Sequence, residues 1–165
     1  SNAIGIAVMT FAGQNYGARK KDRILQTMRV GFALHFAMCA LIGGFIFFTR
    51  GWTIRLFNSD PAVVAQGSVI ITYLAPCYCL FSSTEVLSSM MRGVGNAVKP
   101  TLITLFGACV LRLILLFTMT FPHLSNLTIA LCYPITWTVC STMFLLYYKF
   151  GRWLPAYPTK RGEIG

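Results

Sequence analysis

Long apolar runs, broken by short clusters of charge and turn residues, organise this chain. A first apolar stretch covers residues 3–13 and reads as helix to residue 17; further runs cover residues 30–49, 62–91, 100–121 and 127–148. At 1.5 Å rise per residue, the 20 residues of 30–49 cover roughly 30 Å, the thickness of a bilayer's hydrocarbon core. The run over 62–91 is longer, which predicts a tilt, a kink at Pro76 or a first turn outside the lipid. The opening stretch is too short to cross alone and is expected to be the inner end of a helix that the chain enters partway. Ser1-Asn2-Ala3 resembles the scar left by tag removal or is native sequence.

Local signals support these boundaries. Asn58-Ser59-Asp60-Pro61 places a capping Asp before a Pro at the first helical position, a strong helix start. Pro100 opens the next run. Pro134 lies near the outer end of the last, and Tyr147-Tyr148 close it where aromatic rings collect at membrane interfaces. The predicted fold class is all-α, a polytopic transmembrane helical bundle.

Composition agrees with the pattern. Hydrophobic residues make up 56% of 165 positions, charged residues 11%, and mean hydropathy is +0.65, which excludes an ordinary soluble domain. The net charge of +10 would suggest nucleic acid if the basic residues shared one polar face. They lie between apolar runs instead, so the expected partner is the lipid bilayer and not nucleic acid. Of 14 Lys and Arg, eleven fall in alternate loops and the tail: five over residues 18–29, two over 92–99 and four after Tyr148. Arg50 and Arg55 lie on the other side, the loop over 122–126 has none, and Arg112 lies within a span. This asymmetry predicts that the basic loops and the C-terminus face the cytoplasm. The six cysteines all lie in apolar runs with no zinc spacing and read as small packing residues.

Candidate chemistry is sparse. His35 and His123 are far apart, no metalloprotease or phosphate-loop spacing occurs, and Asp22, Asp60 and Glu163 fall in loops or the tail, so an enzyme is not expected. Neither a metal nor a cofactor site is implied. Glu85 differs: it lies seven residues before Arg92, two helical turns into the membrane. A charge at depth costs about 3 kcal/mol on insertion scales, so such a residue faces a cavity or a partner. Two readings of Glu85 stay open, an ion-coupling carboxylate and a structural pair. Arg112 is likewise either a structural partner or a substrate contact, and His35 either a proton relay or a hydrogen-bonded packing residue. Gly13-Gln14-Asn15-Tyr16-Gly17-Ala18 lacks the Gly-Lys-Ser/Thr ending of a nucleotide cradle; Gly13 and Gly17, four apart, are expected to let two helices approach closely.

The ordered motifs resemble a known family. Gly13-Gln14-Asn15-Tyr16-Gly17-Ala18 with the basic run through Arg23, Leu56-Phe57, Glu85-Val86-Leu87-Ser88, Arg92-Gly93-Val94-Gly95-Asn96 with Pro100, and Tyr133-Pro134-Ile135-Thr136-Trp137 look like the second half of multidrug and toxic compound extrusion (MATE) transporters. The resemblance implies a two-bundle, twelve-helix transporter. Residues 1–154 would supply the end of helix eight and helices nine to twelve, and residues 155–165 a cytoplasmic tail. It further implies export of small organic compounds driven by Na⁺ or H⁺, with Glu85 in the helix corresponding to ten. The missing N-terminal helices would be obligate partners, and the expected location is a bacterial plasma membrane. A flippase for lipid-linked sugars and a non-transporting membrane subunit are the competing readings.

Overall fold

The computed structural model describes residues 2–120 and 126–157. Ser1, residues 121–125 with His123, and residues 158–165 with Lys160, Arg161 and Glu163 lie outside the described residues. Helix α1 spans Asn2–Gly17, α2 Lys21–Arg55 and α3 Pro61–Gly93. Helix α4, Val98–Leu105, continues through a π-helical turn at Phe106–Val110 into α5, Leu111–Leu115, and a second π turn at Leu116–Thr120; α6 spans Asn126–Phe150. Among the described residues, four stretches are long and apolar enough to cross a bilayer: α2, α3, the run Val98–Thr118, and α6.

Helix α2 is longer than the apolar run it contains. It begins within the basic cluster and ends at Arg55, because Lys, Arg and Gln are good helix formers and nothing in residues 21–29 breaks the ladder. Its 35 residues cover roughly 52 Å, so both ends extend past a hydrocarbon core. Helix α3 starts where the sequence indicates: Pro61 is its first residue and the Asp60 carboxylate accepts a hydrogen bond from Ala62 N at 2.8 Å. Pro76 and Pro134 both lie within continuous helices. Several threonine hydroxyls along the spans are satisfied within their own helix, as suits lipid: Thr49, Thr72, Thr138 and Thr142 each donate to the carbonyl four residues back, at 2.7–2.8 Å.

Helix α3 is the central element, packing on α1, α2 and α6. The core lies toward the end of the bundle where the two basic loops sit. Val8 and Ala12 of α1, Ile24 of α2, Val86, Leu87, Met90 and Met91 of α3, and Phe144 of α6 form it. Trp153, beyond α6, completes this core. The residues from Gly151 to Tyr157 therefore fold back on the bundle. Tyr148 stacks on Trp153 with centroids 5.5 Å apart, Tyr16 stacks on Tyr157 at 5.2 Å, and the Tyr16 hydroxyl donates to Ala156 O at 2.6 Å. Outer faces stay apolar, with Leu41, Phe45, Phe48 and Trp52 of α2 all exposed.

Both basic loops begin with the same helix stop. After α1, Lys20 N donates to Asn15 O and Arg19 N to Tyr16 O; after α3, Asn96 N donates to Met91 O and Gly95 N to Arg92 O. This pairing needs a left-handed residue just past the helix. Arg19 (φ 56°) fills that place in the first loop and Gly95 (φ 88°) in the second. Gly95→Ala should therefore cost about 1 kcal/mol, because a Cβ is strained in that region. The expected readout is a lowered thermal midpoint in detergent; an unchanged midpoint would show that the loop can relax.

Candidate functional site

The sequence motifs at the basic end are helix-crossing points. A Cβ on Gly93 would collide with the backbone oxygen of Met9 and come within 3.1 Å of Ala12 Cβ, and one on Gly13 would lie 3.0 Å from Gly93 O. Helices α1 and α3 thus touch backbone to backbone, which only glycine permits. Gly17 does not share this role: nothing lies within 4 Å of its would-be Cβ, because it ends α1 beyond the crossing. Asn15 Nδ2 donates to Phe11 O at 2.8 Å, Gln14 is exposed, and Arg92 is exposed in the last turn of α3. Asn96, next to Gly95, ties the loop to α6 and the tail by donating to the Tyr147 hydroxyl at 2.8 Å and to Trp153 O at 3.1 Å.

One polar cluster lies where α1, α2 and α3 meet. The Glu85 side chain, half-buried, lies over Gly5 of α1, where a Cβ would strike its Oε1 and approach Ser89 Oγ at 2.9 Å. Gly5 therefore makes the room that the carboxylate occupies. His35 of α2 is fully buried; its Nδ1 and the Ser82 hydroxyl are 2.8 Å apart, and Cys39 Sγ is 3.4 Å away. Its Nε2 has no partner, nor has the buried hydroxyl of Ser88. Ser82 and Glu85, three residues apart on α3, link the two sites along one face of that helix. Carboxylate, imidazole and serine hydroxyls thus occur together in an otherwise apolar bundle, an arrangement able to hold a small cation or pass a proton.

A second cluster surrounds Arg112, between α3, α5 and α6. Its Nη2 donates to the Thr136 hydroxyl at 3.2 Å, and its guanidinium carbon lies 4.3 Å from the Tyr133 ring centroid. Nε is buried without a partner. A π turn brings Arg112 to this face. Gly107, on the preceding turn, packs so closely on α6 that a Cβ would collide with Cys140 Sγ. In a regular α-helix a residue five further on would lie about 140° round the axis. The wider turn, in which Leu111 N donates to Phe106 O, reduces that offset and keeps Gly107 and Arg112 both toward α6. A cavity of about 330 Å³ opens beside the guanidinium, walled by Tyr78, Phe81, Tyr133 and Trp137.

Glu85 and Arg112 are not brought together. Glu85 faces α1, whereas its neighbour Thr84 meets Ser141 of α6 at 3.3 Å and lines the Arg112 cavity. The sequence reading missed Ser82 as the companion of His35, and the aromatic walls around Arg112. A signal for the latter exists: Tyr133, Thr136 and Trp137, at i, i+3 and i+4, share one face of α6.

Long apolar spans, threonine hydroxyls bonded back within their own helices and few charges in the apolar runs define an integral membrane protein built as an α-helical bundle. The MatE family model matches residues 1–118, and the chain belongs to that family. Among curated relatives, it is 28% identical to "Probable multidrug resistance protein YoeA" of Bacillus subtilis over 90% of this chain and 32% of that protein. It is 26% identical to "Probable multidrug resistance protein NorM" of Thermotoga maritima, over 91% of this chain and 32% of that protein. With "Probable multidrug resistance protein YpnP" of Bacillus subtilis it shares 30% identity over 92% of this chain and 34% of that protein. The chain spans about a third of the length of these relatives. No solved structure matches it significantly.

Proposed function

We propose that this chain works with further helices as part of a cation-coupled exporter of drugs or similar organic compounds, an antiporter driven by Na⁺ or H⁺. The observation that carries the reading is Glu85: the one carboxylate within a span, held half-buried over Gly5 and three residues from Ser82, the partner of His35. A buried carboxylate in a membrane bundle is costly to keep without a use, and binding a cation or proton neutralises it. The relatives' names, which concern multidrug resistance, favour export over the lipid-sugar flippase. Apolar faces left exposed on α2 and along Val98–Thr118 supply surface for lipid and for the partner helices. In this reading the basic loops, with their shared helix stops, and the tail face the cytoplasm.

The test is transport by the protein expressed from its full reading frame. Inverted vesicles loaded by an imposed Na⁺ or H⁺ gradient should accumulate an organic dye such as ethidium, and an ionophore that collapses the active gradient should stop it. Dye uptake indifferent to both gradients would sink the antiport reading.

A further inference from the structure

Arginine within a membrane span needs acceptors, and among the described residues Arg112 finds few. A guanidinium carries five N–H donors. Among the described residues its partners are one hydroxyl, Thr136, and one ring face, Tyr133, with no carboxylate, while Nε is buried and unsatisfied. Such a cation is costly in the hydrocarbon region, and an anion arriving at its terminal nitrogens offsets that cost through charge-assisted hydrogen bonds. The Tyr133 ring beneath the guanidinium carbon attracts its charge without occupying an N–H acceptor position, so donors remain for a carboxylate.

The surroundings specify the rest of the ligand. The cavity, about 330 Å³, lies at the small end of the range for small-molecule sites. Trp137 meets Tyr78 edge-on with centroids 5.2 Å apart, Phe81 at 5.9 Å and Tyr133 at 6.0 Å, so its walls are ring faces and edges. Such walls favour a flat apolar body, which packs against them by offset or edge-to-face contact. We infer that the cavity between α3, α5 and α6 is a binding site for small aromatic carboxylates, with Arg112 holding the carboxylate and Trp137, Tyr78 and Phe81 enclosing the ring. The assignment rests on the transport reading for its use, since it names a substrate class for the exporter; the binding itself rests on the geometry alone. It is distinct from the Glu85 cluster, which faces α1.

The test compares three tritiated probes of one shape and different charge, 2-naphthoate, 2-naphthylmethanol and 2-naphthylmethylammonium, by scintillation proximity on the full-length protein in lipid nanodiscs. Naphthoate should bind about tenfold tighter than the alcohol, a difference of about 1.4 kcal/mol, and the ammonium weakest. Arg112→Gln should abolish the preference while leaving binding of the alcohol, and Arg112→Lys should keep part of it. Trp137→Leu should weaken all three probes together. Equal binding of the three by the unaltered protein overturns the inference without any variant, as does a preference that survives Arg112→Gln. Gradient-driven dye uptake with no carboxylate preference removes this site alone; carboxylate binding at Arg112 with no gradient-driven flux removes the exporter reading alone.

Discussion

Gly93→Ala is expected to destabilise the bundle by about 1–3 kcal/mol, the usual range for overpacking, although alanine is the better helix former. The added Cβ meets the backbone oxygen of Met9, and a backbone cannot rotate aside as a side chain can. Relief requires α1 to move away from α3, which opens the core at Val8, Ala12, Met90 and Met91. Gly17→Ala is the control, because nothing lies within 4 Å of its Cβ position. Thermal unfolding in detergent should show a clear drop in midpoint for the first variant and none for the second. Equal midpoints would mean that α1 does not seat on α3 as described.

The same crossing shows what could be read from the sequence alone. Apolar run length marked each span, because crossing a bilayer demands about 20 apolar residues whatever the tertiary contacts. Asp60 and Pro61 marked a helix start through local chemistry that acts the same in any context. Helix ends within polar segments were harder: α2 continues through the basic run to Lys21 because helix formation needs no apolar face there. The π turn before α5 left no trace, since it goes with how closely Gly107 seats against Cys140, a long-range contact. The return of the tail was hidden for a similar reason. Trp153 follows a Gly and an Arg that read as an exit, yet it completes the core through contacts with elements far away in sequence. Glu85, His35 and Arg112 were identifiable as costly polar residues in apolar runs, because their cost depends on the lipid and not on the fold. Their partners were not, because Gly5, Ser82 and Thr136 become neighbours only when the helices pack.

The second large effect concerns Glu85. Glu85→Gln keeps the shape over Gly5 but removes the charge that a cation or proton would neutralise, so packing should survive and coupling should not. Gradient-driven flux of an organic dye is expected to fall by about tenfold or more, with dye binding retained, because the sequence offers no other carboxylate within a span. Glu85→Asp retains the charge on a shorter stem and should keep part of the flux.

The most direct measurement is dye flux against the size of an imposed Na⁺ or H⁺ gradient, in proteoliposomes holding equal amounts of folded full-length protein, with and without Glu85→Gln. The account predicts that flux climbs with the gradient in the unaltered protein and is flat and low in the variant. A variant whose flux climbs with the same slope would contradict it.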